Sequence, residues 1–241
     1  MKFQQSEKLN IFAFAREAGG AEAIAPVIGI LSGQSDLYSV TVLAKDYAKD
    51  IFQRYELPVL ELSAYSDRFM ASLIKQAGKP NVVLTSATSL PWNDMTERRL
   101  WRWAEQEGIP SIGLVDQWQN YGLRFSGPTE KERLAYFPTC VCAMDDYARD
   151  QMIKEGIPPE KIVITGQPAF DNLYTYQRSF SQARFNEMRE RYSTNSREAL
   201  LVLFVSEAIR KDFGETLGYT EQMTLETLLR TLASLDQAGI T

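Results

Sequence analysis

Histidine is absent from all 241 residues. That excludes Ser-His-Asp and Cys-His catalysis, imidazole general bases and histidine-ligated metals. Acid–base chemistry is left to Asp, Glu, Lys, Tyr or Cys. Cysteine is nearly absent: Cys140 and Cys142, in PTCVCAMD, are the two. Two apart on a strand, they share a face, cannot easily bridge and are too few for a structural zinc site. Buried structural thiols are expected, with no metal and no cofactor. No apolar run approaches the ~20 residues of a membrane span, and the N-terminal MKFQQSEKLN lacks the apolar stretch of a signal peptide. A cytoplasmic protein is expected. Positive charge is not in excess: 26 Lys and Arg against 31 Asp and Glu leave a formal net charge of −5. That argues against a broad nucleic-acid or anionic-membrane surface.

What is present is an α/β alternation. Apolar content is 44%, and a chain of this length buries roughly 70% of its unfolded surface. Short apolar runs recur at 10–15, 39–44, 58–62, 81–85, 111–115, 139–143 and 161–166. Several are continuous and rich in Val and Ile, the pattern of parallel strands covered on both faces. Helix-length segments lie between them. AEAIAPVIGILSG ends near Gly33, DYAKDIFQRYE offers Asp46 as an N-cap, and MTERRLWRWAEQEGI puts Leu100, Trp101 and Ala104 on one stripe ending at Gly108. DDYARDQMIKEGI starts on an Asp pair and ends at Gly156. EGIP closes a helix twice, as at the helix-to-strand joints of doubly wound folds. The fold class expected is a doubly wound Rossmann-like parallel sheet over 1–177. A polar helical linker over 178–197 follows, then one βα unit over 198–241, with a strand at 198–206 and a helix at 223–235. That unit reads as the start of a second, incomplete domain.

Four stretches could carry chemistry. In FAREAGGAEA, Gly19 and Gly20 sit between a strand and a helix, the right order for a phosphate at a helix N-terminus. The spacing matches neither the dinucleotide fingerprint nor the P-loop, and Glu17 and Glu22 would repel a phosphate. A classical dinucleotide dehydrogenase is disfavoured on the same ground, since Lys45 and Asp46 after the second strand do not supply the missing glycines. A close-packed turn and a ligand-facing loop remain open, with Arg16 beside them. Thr85, Ser86, Thr88 and Ser89 follow a strand end, where they line a crevice or cap the next helix; Arg98 and Arg99 read as solvated or helix-paired. LVDQWQNYGLRF concentrates Asp116, Trp118, Asn120, Tyr121 and Arg124 after a buried run, an aromatic and polar mixture suited to a sugar ring or to anchoring a loop. In IVITGQPAFDNL, Gly166 and Pro168 suit a hinge or a plain strand–helix turn.

MIKEGIPPEKIVITGQPAFD resembles the end of the N-terminal domain in GT-B glycosyltransferases and the related UDP-GlcNAc 2-epimerases. FVSEAIRKDFGETLGYTEQMTLETLL resembles the first βα unit of the C-terminal domain in that superfamily, and LVDQWQNYGLRF resembles a segment of some members. The resemblance implies that this chain is the acceptor-side lobe of the GT-B N-terminal-domain type. The nucleotide-sugar donor would sit mostly on the other lobe, so the chain alone is expected to lack a complete donor site.

Two functions follow as expectations. One is a GT-B-like glycosyltransferase homologue for polysaccharide or glycoconjugate synthesis. Asp116 would be its catalytic base and Trp118 or Tyr121 its sugar platforms. Asn120 and Arg124 would orient the sugar; Arg16, Gly19, Gly20, Thr85 and Ser86 would line the cleft; Gly166 and Pro168 would form the hinge. Its partners would be a sugar or glycoconjugate acceptor and a nucleotide sugar. The other is a non-enzymatic module forming a homodimer through 198–235.

Overall fold

The computed structural model describes residues 8–192 and 202–237, which divide into one unit up to Arg178 and a second from Ser179. The first unit is a seven-stranded, all-parallel sheet. Its strands are β1 (Leu9–Ala15), β2 (Tyr38–Ala44), β3 (Val59–Glu61), β4 (Val82–Ser86), β5 (Ser111–Leu114), β6 (Cys140–Ala143) and β7 (Ile162–Ile164). They lie in the order β3-β2-β1-β4-β5-β6-β7. All seven expected runs form strands; the inner ones are covered on both faces, while the edge strands β3 and β7 stay largely exposed.

The helices between them supply that cover. They are α1 (Ala18–Gly33), α2 (Ala48–Arg54), α3 (Asp67–Ala77), α4 (Thr96–Gln106), the short α5 (Tyr121–Arg124), α6 (Asp146–Lys154) and α7 (Ala169–Ser179). The pleat of β1 shows the division of faces. Ile11, Ala13 and Ala15 pack with Ile24 and Ile28 of α1 and Phe52 of α2. The alternate residues Phe12 and Phe14 pack with Met70 and Leu73 of α3 and Leu100 of α4. A third cluster joins Trp101 of α4, Tyr121, Phe125, Val141, Ala143 and Met152.

Helix α1 contains Pro26 and four glycines, all poor helix formers. It holds because Ala21, Ala23, Ile24, Ala25 and Ile28 are wholly buried. Its N-terminus approaches the sheet closely: a Cβ on Gly20 would lie 2.4 Å from Cβ of Ser86. Asp46 does not cap α2. It takes the left-handed conformation at φ 49, the N-cap position falls to Tyr47, and the Asp46 carboxylate binds Arg16 instead. Cys140 and Cys142 are free and partly buried, and burial, then the neighbouring Cys140, pushes the Cys142 thiol up to about 11.

In the second unit the structure describes helices α8 (Gln182–Tyr192), α9 (Ile209–Phe213) and α10 (Glu221–Gln237). The expected helix at 223–235 falls inside α10. The polar helical stretch from 178 is broken near Phe180 and Ser181 into the end of α7 and α8, and 193–195 lie outside the described residues. The expected strand at 198–206 differs. Residues 198–201 lie outside the described residues; from Val202 to Ser206 no strand forms, and Leu203 and Val205 are 83% and 81% exposed. A strand needs a neighbour to hydrogen-bond, and apolar content alone supplies none. Among the described residues no helix is long and apolar enough to cross a membrane.

The close approach of α1 makes a paired prediction. Gly20→Ala should cost about 1–3 kcal/mol by overpacking against Ser86. Gly29→Ala, with nothing within 4 Å of the added carbon, should stabilise by roughly 0.5–1 kcal/mol. Urea unfolding of both variants checks the contrast; equal effects would contradict it.

Candidate functional site

The chain turns from β1 outward through β2 to β3, and then crosses back to β4 on the other side of β1. Outside the carboxyl ends of β1 and β4 this leaves a crevice, the usual ligand position in open α/β sheets. Its charged rim is heavily paired. Arg16, after β1, donates from Nε to Asp46 Oδ2 at 2.6 Å and from Nη1 to Glu17 Oε1 at 2.5 Å. Burial works against the guanidinium charge, but Glu17, Asp46 and Asp94 outweigh it and raise its pKa. Lys45 pairs with Asp94, whose other oxygen accepts from the Thr96 backbone at 2.8 Å. Burial opposes that carboxylate, but the Lys45 and Thr96 hydrogen bonds hold it below the usual range. Glu22 turns away, accepting from Arg54 and Tyr55 on the α2 side, each at 2.7 Å.

The central pair comes from the segment after β5. Arg124 Nη1 donates to Asp116 Oδ1 at 2.8 Å and also to the Ala87 carbonyl at the end of β4. The Arg124 side chain is 2% exposed and that of Asp116 10%. The other carboxylate oxygen, Oδ2, sits over α1: a Cβ on Gly19 would lie 2.5 Å from it. The two glycines therefore do different jobs. Gly20 admits Ser86 of the sheet, and Gly19 admits the carboxylate of Asp116. Gln167, between Gly166 and Pro168, donates from Nε2 to the Asp116 carbonyl at 3.0 Å. Gly166 has φ 83, and Pro168 stands directly before α7. Both lie inside the first unit, which ends at Arg178.

Other expected site residues divide into accessible and buried. Trp118 is 41% exposed, donates from Nε1 to Asp145 Oδ2 at 2.7 Å, and stacks on Phe170 with ring centroids 5.9 Å apart. Asn120 is exposed in the left-handed conformation at φ 57, as the N-cap of α5. Tyr121 is 1% exposed inside the third core cluster, so its ring cannot serve as a sugar platform. Thr85 and Ser86 are likewise sealed from the crevice. Thr85 Oγ1 accepts from the Trp101 indole at 2.8 Å, and Ser86 donates to Glu97. Their hydroxyls tie β4 to α4 and cap no helix.

Arg98 corrects the reading of that residue as solvated. It is fully buried, donating to the carbonyls of Ser126, Thr88 and Leu123 at 2.5, 2.9 and 2.7 Å. Glu97 beside it is also fully buried and accepts from the Thr88 backbone at 2.6 Å. The signal was in the spacing. Glu97 lies three and four residues before Leu100 and Trp101, on the same apolar stripe, and a charge on such a stripe must be paired inside. Among the described residues no group of three or more Cys, Asp or Glu could hold a metal ion.

Solved structures share this architecture. UDP-GlcNAc 2-epimerase from Neisseria meningitidis, bound to UDP-GlcNAc, matches with a TM-score of 0.55 at 16% identity, over 76% of this chain and 54% of that one. The Methanocaldococcus jannaschii enzyme in complex with UDP-GlcNAc and UDP matches with a TM-score of 0.51 at 17% identity, over 74% and 54%. The chain shares the fold of about half of each of these epimerases. It spans about half the length of these epimerases. No protein-family model and no curated protein sequence matches it. The fold expected from IVITGQPAFD is thus present, and at this identity the epimerase likeness speaks for the fold alone.

The buried carboxyl of Glu97 gives a pH test. Burial holds it above the usual carboxylate range, against the bonds from Ser86 and Thr88. The folded state therefore binds this proton more tightly than the unfolded state. The stability it contributes is present below the unfolded value and is lost as pH rises through the folded one. Glu97→Gln, which cannot ionise, should gain stability relative to the parent as pH rises above the usual carboxylate range. A difference in urea unfolding that does not change with pH would contradict this.

Proposed function

We propose that this chain forms the acceptor-side lobe of a GT-B-like nucleotide-sugar enzyme acting in polysaccharide or glycoconjugate synthesis. The observation that carries the reading is the Asp116 carboxylate. Arg124 holds one oxygen, and the other lies over Gly19 at the mouth of the crevice. An oxygen fixed in this way can take the proton of a sugar hydroxyl as that hydroxyl attacks. Trp118, half in solvent and held by Asp145, offers an indole face to the ring. Asn120 would orient the hydroxyls, and Arg16 with Gly19 would line the floor. The neighbouring epimerases are named with UDP-GlcNAc, which makes a UDP-sugar the donor to try.

The test reads acceptor binding, because the chain alone is expected to lack a complete donor site. A panel of saccharide acceptors is titrated into the protein and followed by calorimetry, and at least one should bind saturably. Trp118→Ala should weaken that binding roughly tenfold, as for a lost aromatic platform. Asp116→Asn should weaken it less, since a general base acts on the reacting hydroxyl and not on the ring as a whole. Normal folding with no saccharide binding would overturn the reading.

A further inference from the structure

The segment after β5 has two sides. One carries Asp116 over Gly19 at the crevice and Trp118 against Asp145 and Phe170. The other walls a separate depression of about 310 Å³, formed with the loop after β4. Pro91, Trp92, Leu123, Pro128, Glu130 and Arg133 line it. The volume lies at the lower end of the small-ligand range of about 300–1,000 Å³.

Its walls are already built. Gly122 N donates to Glu155 Oε2 at 2.6 Å, Ser126 Oγ donates to the Gly122 carbonyl at 2.6 Å, and Leu134 N donates to Ser126 Oγ at 2.9 Å. Arg98 ties the same loop down through the Ser126 and Leu123 carbonyls. The groups facing solvent are uncommitted. Trp92 is 51% exposed, and Trp92, Glu130 and Arg133 have no side-chain hydrogen bond or ion pair among the described residues. Ordering a ligand here requires little reorganisation of the protein, which favours binding.

The chemistry of the walls selects the ligand. An indole face and two prolines offer apolar contact to a ring's C–H edge. A free carboxylate accepts from hydroxyls, and a free guanidinium donates to them. A lipid chain would leave Glu130 and Arg133 desolvated and unpaired. A phosphate would meet Glu130 and Glu155 with one arginine to offset them. A neutral, polyhydroxylated ring satisfies all of these groups. We infer that this depression is a second saccharide-binding site, outside the crevice, that takes a neutral stretch of a glycan. The choice of a glycan rests on the reading of the chain as a sugar-handling lobe; the site's position does not.

The test labels the full chain with 5-fluorotryptophan and follows its four tryptophans by fluorine NMR, assigned by Trp→Phe variants. Cellotriose, maltotriose and the N-acetylglucosamine trimer are titrated separately to roughly 10 mM, past the millimolar range of weak single-site binding. The Trp92 resonance should move saturably with at least one of them while buried Trp101 stays still. Arg133→Ala, an exposed change that leaves folding intact, should weaken that binding roughly tenfold, as for a lost charged hydrogen bond. Movement of Trp118 alone would overturn this inference and leave the crevice reading standing. Movement of Trp92 alone would uphold the inference without the crevice. No movement of Trp92 with any trisaccharide, or binding unchanged in Arg133→Ala, overturns it.

Discussion

Two buried guanidinium groups hold the carboxyl end of the sheet together. Arg98 and Arg124 are 0% and 2% exposed, and between them they collect the carbonyls of Ala87, Thr88, Leu123 and Ser126. Ala87 and Thr88 follow β4, and Leu123 and Ser126 lie in and just after the short α5, so all four stand where no strand ladder reaches them. A buried carbonyl without a donor costs about 1–3 kcal/mol, so the arginines supply donors where backbone geometry cannot. Their charges also need partners in a low-dielectric interior. Burial pulls the Arg98 pKa down, and Glu97 and Asp94 offset part of that effect. For Arg124 the partner is Asp116. The carboxylate placed at the crevice mouth is thus also the counter-charge of a structural arginine.

That double duty explains the glycine pair. A carboxylate pinned from below by Arg124 reaches over the start of α1, and only a residue without Cβ leaves room for it at position 19. The turn Arg16-Glu17-Ala18-Gly19-Gly20 is therefore shaped by what the strands beside it carry. Its acidic neighbours fit the same account: Glu17 is engaged by Arg16, and Glu22 by α2. The loop from Trp118 to Arg133 gains its two faces from the same anchors, since Arg98 and Arg124 fix it at several carbonyls and leave its outer side chains free.

The architecture was legible in the sequence because two-sided burial writes itself as unbroken apolar runs in the inner strands, and the edge runs at 58–62 and 161–166 became strands although they stay largely exposed. The stripe of Leu100, Trp101 and Ala104 was legible for the same reason. The site was read less completely. Asp116, Trp118 and Asn120 were placed at a strand end by position alone, and the structure puts them there. Tyr121, Thr85 and Ser86 stood beside them in sequence but face inward, which a residue list without burial does not reveal. Arg98 hid in a charged run, ERR, that looks like a solvated face until its phase against Trp101 is counted. Asp46 looked like a helix cap because Asp at a helix start usually is one; the pull of Arg16 sent its carboxylate elsewhere. Of the apolar run read as a strand over 198–206, the described residues Val202 to Ser206 form none, since strand formation depends on a neighbour that the run itself does not encode.

The coupling between Asp116 and Arg124 is the point on which crevice, glycine turn and loop all rest. A double-mutant cycle on unfolding free energy, with Asp116→Asn, Arg124→Met and the two combined, measures it directly. The account predicts a coupling of about 1–3 kcal/mol, as for buried groups in one network. Additivity within about 0.5 kcal/mol, the behaviour of independent sites, would contradict it.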